Sequence, residues 1–214
     1  MSTKKITVTD EMLSYLREAV KEYQTEKRYS HTLAVEREAA ALGELFLPSE
    51  INRLRAAALL HDITKIYDVE KQLKICSEFD IIMGTEDVAA PKLLHARTGA
   101  LIAGRDFSSY VDEEILDGVR WHTTGREGMG LFETIIYLAD YIEDTRTFED
   151  CVVLRRMFYS EMEGAKNSDE KSEVLRKTMI ASFDATVRCL LDEGAIVDRD
   201  TIAARNWFIL NKPR

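Results

Sequence analysis

The sequence contains few residues that break helices or mark tight turns. Proline accounts for 3 and glycine for 10 of its 214 residues, roughly half the share that is usual in globular proteins. Asn-Gly or Asp-Gly turns between β-branched runs, which are typical of hairpins, are also lacking, as is any clear period-two alternation. These absences argue against a β-rich fold, and we therefore predict an all-α protein.

Cysteine is scarce as well. Cys76, Cys151 and Cys189 are odd in number, lie far apart and form no CxxC motif, so we predict free or buried thiols in a reducing cytoplasm. The first residues lack the apolar core of a signal peptide. No stretch approaches the ~18 apolar residues of a membrane span. We expect a cytoplasmic protein with no membrane partner.

An excess of positive charge is also missing. The chain has 38 acidic and 29 basic residues, which gives a formal net charge of −9. A protein that binds duplex nucleic acid needs a basic face to neutralise phosphates, so we expect no nucleic-acid partner. A small anionic ligand remains compatible with this balance, because a local pocket can oppose the overall sign.

Apolar periodicity and capping residues predict a single helical domain over residues 1–214, with about 9–11 helices. The third predicted helix is apolar over most of its surface, so we expect it to be central. Residues 80–90 and 123–130 are predicted loops. The predicted helices cover 11–26, 29–46, 51–65, 69–79, 91–104, 113–122, 131–143, 149–162, 169–194 and 200–210. The predicted N-caps are Asp10, Ser49, Asp68, Asp112 and Asp200.

The four histidines, His31, His61, His95 and His122, are the first candidates for chemistry. Asp62 follows His61 near the end of the third helix. Neighbouring helical residues point about 100° apart, so both can reach one object beside the helix end. An imidazole and a carboxylate suit a metal ion, although an isolated pair of this kind is more often a satisfied polar pair.

Asp140 adds weight to the metal interpretation. It lies within the apolar helix segment IIYLADYI, so we expect it to be at least partly buried. A buried carboxylate is costly unless it is paired or bound to a metal. A lysine or arginine from another helix would serve equally well, and the residues alone leave this alternative open.

In chain order the candidates are a histidine, the His-Asp pair, two further histidines and an aspartate. This order resembles the HD-domain metal-dependent phosphohydrolases, whose signature is H…HD…D, with two extra histidines before the last aspartate in members that hold two metals. A narrower resemblance, to the YqeK-type group of that family, extends from about residue 28 to 210. It rests on RYSHTL (28–33), LHDITK (60–65), LHARTGA (94–100), WHTTGREGM (121–129), IYLADYIE (136–143) and TIAARN (201–206).

The resemblance implies an HD-domain helical bundle with a core at about 28–145, on which helices in 149–210 pack. It also implies a metal-dependent hydrolase that cleaves diadenosine tetraphosphate symmetrically into two ADP and contains iron. The chain departs from the group at Thr64, where alanine is usual. It departs again at Asp144-Thr145, where Pro-Gly is usual before Arg146.

We predict that His31, His61, Asp62 and Asp140 hold a first metal, and that His95 and His122 hold a second, with Asp62 bridging. Two metals ~3.5–4 Å apart can share an activated hydroxide and neutralise phosphate oxygens. The resemblance favours iron, with one or two ions per chain; manganese, cobalt, nickel and zinc suit the same ligands. His95 and His122 could instead contact the substrate.

Three residues are predicted to be catalytic, namely Asp62, Lys65 and Arg126. Glycines after His122 permit close backbone approach to a phosphate, and an arginine offers a planar fork for phosphoryl oxygens. The candidate substrate contacts also have structural interpretations: the lysine as an exposed residue at a helix end, the glycines as a connecting loop, the tyrosine as a core residue, and the arginine of the last helix as a residue that holds this helix to the core. The predicted substrate-binding residues are Lys65, His95, His122, Thr123, Thr124, Gly125, Arg126, Tyr137, Arg146 and Arg205.

Other functions are compatible with the same residues. An HD-type nucleotidase or another nucleotide phosphohydrolase would keep the metal site but change the substrate, giving a nucleoside and phosphate instead of two nucleoside diphosphates. A nucleotide sensor would bind without turnover, and a helical interaction module would bind no metal. The expected partner is a small nucleotide, either the dinucleoside polyphosphate or an ADP or GDP product, and a homodimer is compatible with the sequence.

Overall fold

The computed structural model describes residues 5–211, without the side chain of Glu86, and every regular element in this range is helical. The all-α prediction is confirmed. The α-helices are α1 (Asp10–Val20), α2 (Glu26–Phe46), α3 (Ile51–Leu60), α4 (Val69–Glu78), α5 (Thr85–Ala89), α6 (Leu94–Asp106), α7 (Glu113–Trp121), α8 (Leu131–Ile142), α9 (Glu149–Gly164), α10 (Ser168–Asp192) and α11 (Arg199–Leu210). Short 3-10 turns cover Lys21–Tyr23, Pro48–Glu50 and Pro91–Leu93.

Helix α3 lies at the centre of the bundle, as its apolar sequence predicted. It packs against α1, α2, α6, α7 and α8, and Leu54, Ala57 and Leu60 on it are fully buried. Burial of apolar surface is the main favourable term in folding, so this helix organises the core. Helix α9 packs on α8 and α10, and α10 packs on α11. The C-terminal helices therefore join the core through α8.

Two helix boundaries differ from the predictions in ways that affect the site. Helix α3 ends at Leu60, not at Lys65, and turns with i to i+3 hydrogen bonds follow it, such as Lys65 N to Asp62 O at 3.0 Å. The predicted loop 80–90 contains α5, and Pro91 begins a 3-10 turn ahead of α6. His61 and His95 therefore lie at a helix end and a helix start, where side chains from several helices can meet.

The capping predictions were partly correct. Asp68 and Asp112 accept hydrogen bonds from the backbone N of Lys71 and Ile115, as predicted. Thr9 caps α1 in place of Asp10, and Asp198 caps α11 in place of Asp200, because each lies just before the first helical turn. Ser49 is no cap, since it lies within a 3-10 turn that leads directly into α3.

The three cysteines are free thiols, with Cys76 and Cys151 buried and Cys189 exposed. Within residues 5–211, no helix is both long enough and apolar enough to cross a membrane.

Candidate metal centre

The six predicted metal ligands converge at one end of the bundle. Two groups each place their ligand atoms within 4.8 Å of one another. The first group is His31 on α2, His61 at the end of α3 and Asp140 on α8; the second is His61, Asp62 and His122 at the end of α7. His95, in the first turn of α6, joins the second group through a 3.1 Å contact between its Nε2 and that of His122.

Asp62 lies between two pairs of histidines, His31 with His61 and His95 with His122. Its Oδ2 is 3.9 Å from His31 Nε2 and 3.5 Å from His61 Nε2. Its Oδ1 is 3.3 Å from His95 Nε2 and 3.6 Å from His122 Nε2. Each carboxylate oxygen therefore faces a different set of histidines, as a bridging ligand requires.

Hydrogen bonds to Nδ1 orient all four imidazole rings. In His61, His95 and His122, Nδ1 lies 2.6–2.7 Å from the backbone carbonyl three residues earlier. In His31, Nδ1 lies 3.0 Å from Glu143 Oε1. Carbonyl and carboxylate oxygens only accept, so Nδ1 carries a proton, and neutral rings present the Nε2 lone pair to the centre. Histidines that bind metals are oriented in this way.

The centre contains buried polar atoms without partners. Within the described part of the chain, His61 Nε2 and Asp62 Oδ1 are buried and accept no hydrogen bond. Such atoms cost free energy unless they are satisfied, and a cation between them would satisfy them. Imidazole and carboxylate are donors that divalent transition metals accept. The residues present therefore fit a divalent metal site.

The protonation of the ligands agrees with this fit. Burial lowers the pKa of His95 and of His122. Burial would raise the pKa of Asp62, but the nearby imidazoles of His61 and His122 outweigh it, and the pKa lies well below 3.8. For His31, the carboxylates of Asp140 and Glu143 outweigh burial and raise the pKa to about 9. Metal binding at His31 would therefore release a proton.

Two residues that sequence reasoning left out of the site hold ligands in place. Glu143 is fully buried and accepts from His31 Nδ1, from Thr145 N at 2.5 Å and from Thr145 Oγ1 at 2.8 Å. Arg28 donates through Nη1 to Asp62 Oδ2 at 2.8 Å. Each lies three residues from a predicted ligand on the same helical face, Arg28 before His31 and Glu143 after Asp140, and this spacing could have revealed them.

The two departures from the YqeK-type motifs both make contacts near the ligands. Thr145 supports Glu143, as described above. The hydroxyl of Thr64 donates to the backbone oxygen of His95 at 2.8 Å, which an alanine could not do. The unusual residues thus add hydrogen bonds around the centre.

Lys65 and Thr123 lie at the centre, where the sequence placed them. Lys65 Nζ is 3.0 Å and Thr123 Oγ1 is 3.1 Å from His95 Nε2. Burial lowers the pKa of Lys65. Their catalytic and substrate-binding roles stay predictions.

Arg126 is held by two carboxylates, and its catalytic role stays a prediction. Its Nε donates to Glu133 Oε1 at 2.6 Å, and its Nη2 lies 3.6 Å from Asp117 Oδ2. Glu133 lies in the first turn of α8, two turns before Asp140. These carboxylates pair the guanidinium with the middle of α7 and the start of α8.

Four other residues predicted to bind substrate make packing contacts or hydrogen bonds within the protein. Gly125 is buried, and a Cβ there would lie 2.8 Å from Phe183 Cζ, so the side of this residue that lacks a side chain faces the core. Tyr137 is 3% exposed and packs on Phe183 with ring centroids 4.7 Å apart, which leaves no face for a base. Arg205 is bound to Asp184 and joins α11 to α10. Thr124 is buried and donates to Gly125 O.

Arg146 holds the predicted metal ligand Asp140 in place. Its Nη2 donates to Asp140 Oδ1 and its Nε to Asp140 O, both at 2.5 Å. The arginine supplies the positive partner that a buried Asp140 needs, so both alternatives drawn from the sequence, a metal and a basic residue, apply to the same carboxylate.

Comparison with known proteins identifies relatives across most of the chain. The HD domain family model matches residues 28–145. The symmetrical bis(5'-nucleosyl)-tetraphosphatase of Bacillus subtilis (strain 168) is 33% identical over 190 residues, which cover 89% of this chain and 94% of the relative. Proteins with the same description from Halalkalibacterium halodurans and Staphylococcus aureus are 32% and 31% identical, over 90% and 88% of this chain and 95% and 90% of the relatives.

A solved structure shows the same fold. It is described as an HD superfamily hydrolase involved in NAD metabolism from Clostridium acetobutylicum. It has a TM-score of 0.81 and 31% sequence identity, and the match covers 95% of this chain and 99% of that one.

Proposed function

The chain belongs to the HD-domain family, and from that premise we propose that it is a metal-dependent hydrolase that cleaves diadenosine tetraphosphate symmetrically into two ADP. The observation that carries the proposal is the position of Asp62, whose two oxygens face two separate sets of histidines. The activity named for the three bacterial relatives supports the choice of substrate.

The proposed ligands are those with atoms at the centre. One set would hold the first metal, the other set would hold the second, and Asp62 would belong to both sets. Iron is the proposed metal. When bound, such ions lower the pKa of water and neutralise phosphate oxygens. The first set is His31, His61, Asp62 and Asp140, and the second is His95, His122 and Asp62.

Cationic side chains of the chain itself would bind the polyphosphate. Arg28 donates to Asp62 but remains about one-third exposed, with its side chain at 32%, and Lys65 Nζ lies beside His95. Charge-assisted hydrogen bonds to phosphoryl oxygens are roughly twice as strong as neutral ones. Arg28 and Lys65 would therefore offset the negative charge of the substrate, despite the net charge of −9.

The reaction consumes one water. A bond forms between the water oxygen and one of the two central phosphorus atoms, and the bridging P–O bond between the central phosphates breaks. Two ADP leave, and the protons of the water pass to solvent. Lys65 Nζ would donate a hydrogen bond to the oxygen of the departing phosphate, where negative charge develops. Arg146 holds Asp140 in position throughout.

The test combines metal analysis of protein purified without a chelator with chromatography of the products from diadenosine tetraphosphate. We expect one or two metal ions per chain and ADP as the sole product. Asp62→Ala should reduce both turnover and metal content to near background. Asp192→Ala, an exposed aspartate at the end of α10, is the matched control and should change neither.

Other results would contradict the proposal in distinguishable ways. Nucleoside and phosphate as products would favour a nucleotidase. Bound metal with no turnover would favour a nucleotide sensor. A protein without metal, even after reconstitution, would overturn the centre itself. The homodimer and the cytoplasmic location stay predictions, which light scattering and cell fractionation can check.

A further inference from the structure

A cavity of about 490 Å³ lies between the start of α6, the end of α7 and the start of α11. This volume suits a ligand the size of a nucleotide. Its polar walls include Arg97 on α6, Arg120 on α7, and Asp198 and Asp200 beside α11, with Leu93 and Leu94 on its apolar side.

The cavity is separate from the metal centre. Helical residues two positions apart point in nearly opposite directions. On α6, His95 faces the centre while Arg97 lines the cavity, and around the end of α7, His122 faces the centre while Arg120 lines the cavity. No predicted metal ligand lines the cavity, although Thr124, a predicted substrate-binding residue, does.

Arg120 has no direct ion-pair partner among the described residues, although the carboxylates of Asp200 and Asp198 lie near enough to attract its charge. Its guanidinium is half-buried and lies 4.1 Å from the centroid of the Trp121 ring. Among the described residues it makes no hydrogen bond or ion pair, whereas Arg97 is paired with Asp87 at 3.1 Å. A desolvated guanidinium without an anion is costly. Its planar fork matches the oxygens of a phosphoryl group.

Of the two carboxylates beside α11, Asp198 accepts a hydrogen bond within the chain and Asp200 does not form an ion pair within the described range. Asp198 accepts from the backbone N of Asp200 at 2.8 Å and caps α11. Asp200 makes no ion pair within the described range although it shares the cavity with Arg120. A ligand that suits these walls therefore carries both an anionic group for the arginine and hydroxyl donors for the carboxylate.

We propose that this cavity binds a second nucleotide, a nucleoside phosphate. Its phosphate would contact Arg120, its ribose hydroxyls would donate to Asp200, and its base would lie against Leu93 and Leu94. The site is independent of the hydrolysis proposed for the metal centre, so the failure of one leaves the other intact.

Calorimetric titration of the metal-loaded protein with ADP tests the site. Arg120→Gln removes the charge and keeps most of the side-chain volume. We expect it to lose one ADP site per chain, or to weaken that site about tenfold or more, as the loss of a charge-assisted hydrogen bond predicts. Arg156→Gln, at an exposed arginine on α9, is the control and should bind like wild type. Circular dichroism verifies that both variants are folded.

Several results would overturn the proposal. If Arg120→Gln has the same number and affinity of ADP sites as the control, the cavity is excluded as a nucleotide site. Orthophosphate that competes for the Arg120-dependent site as tightly as ADP would show that the nucleoside makes no contact there. Loss of one ADP site in Arg120→Gln alone would support the proposal, whether or not a site at the metal centre is also seen.

Discussion

At the scale of the residue, the candidate centre depends on the side chains that hold the ligands. Glu143 orients His31, Arg28 contacts Asp62, and Arg146 contacts Asp140. Partners of this kind fix the orientation and basicity of a ligand, and their loss typically costs 10–100-fold in metal affinity.

Glu143→Gln tests this role. The substitution keeps the shape but removes the charge that faces His31 Nδ1, so we expect metal affinity to fall about 10–100-fold with helical content unchanged. Competition with a chelator of known affinity measures the effect. Glu149→Gln, an exposed residue at the start of α9, is the control. Equal affinity in both variants would show that Glu143 has no part in holding the centre.

Arg126→Ala distinguishes a catalytic arginine from a structural one. The sequence predicts lower turnover, but the structure pairs Arg126 with Glu133, which is 5% exposed. Removing the arginine leaves a buried carboxylate without its partner, so we expect a loss of roughly 1–3 kcal/mol in stability. We expect kcat/KM of the folded enzyme to stay near that of wild type. A large fall in kcat/KM without a change in Tm would instead support the original prediction.

At the scale of the element, helix ends build the centre. The last carbonyls of a helix lack intrahelical partners. His61 and His122 follow the last residues of α3 and α7, and their Nδ1 atoms donate to such carbonyls. The same hydrogen bond satisfies the helix end and aims Nε2 at the centre, so the helix termini orient the ligands.

Gly125→Ala and Gly128→Ala form a matched pair in the loop before α8. Both glycines have positive φ, 64° and 74°, which costs an alanine about 1–2 kcal/mol. Only at Gly125 would the added Cβ meet neighbours, at 2.8 Å from Phe183 Cζ; none lies within 4 Å of Gly128. We expect Gly125→Ala to lose roughly 1–3 kcal/mol more in urea denaturation. Equal losses would show that the contact with Phe183 relaxes freely.

The start of α7 is tied to α3 by an ion pair that should depend on pH. Asp112 lies 2.6 Å from Nη2 of Arg53, which is 5% exposed. Burial would raise the pKa of Asp112, but the hydrogen bonds from Arg53 and from two backbone N–H groups hold it below 3.8. The carboxylate therefore adds stability above about pH 3.8, and this is lost as the pH falls through the folded pKa.

Asp112→Asn measures that contribution. We expect the variant to be less stable by roughly 1–3 kcal/mol at pH 7. The difference in stability from wild type should narrow below about pH 3.8, because the unfolded chain takes up a proton there that the native carboxylate takes up only at lower pH. Urea denaturation at several pH values gives the comparison, with Asp192→Asn as the exposed control. A gap that stays constant through acid pH would contradict the assigned pKa shift.

At the scale of the whole molecule, a bound metal would connect separate parts of the chain. The six predicted ligands come from α2, α6 and α8 and from the ends of α3 and α7. A ligand that binds only the folded state stabilises it by mass action. The predicted single domain, with the C-terminal helices joined to the core through α8, should then unfold in one transition that shifts with metal.

Removal of metal should therefore lower Tm. At a free metal concentration of about 100 Kd the stabilisation is ≈ 2.7 kcal/mol, which corresponds to a shift of about 5–10 °C for a chain of this size. Differential scanning calorimetry with and without chelator measures it. The variant Asp62→Ala should show almost no shift. A Tm that is independent of metal in the wild-type protein would indicate that the centre does not bind metal in the folded state.

The sequence by itself determined the helical class, the central helix and the six candidate ligands. Few breakers and a 3.6-residue apolar period specify helices locally, because both act within a few residues of the chain. His31, His61, Asp62, His95, His122 and Asp140 were recognisable from their order and its resemblance to the HD-domain signature, and in the structure their side chains lie together.

Only the tertiary structure decided which of the remaining polar residues reach the centre. Arg126 and Arg205 were plausible phosphate ligands by type, and only the structure shows that they pair with Glu133 and Asp184. Tyr137 faces the core, and Arg146 binds Asp140. The direction of a long side chain depends on the charge and space that neighbouring helices offer, and those neighbours are distant in sequence. Residue type sets the chemistry available, whereas packing sets where that chemistry acts.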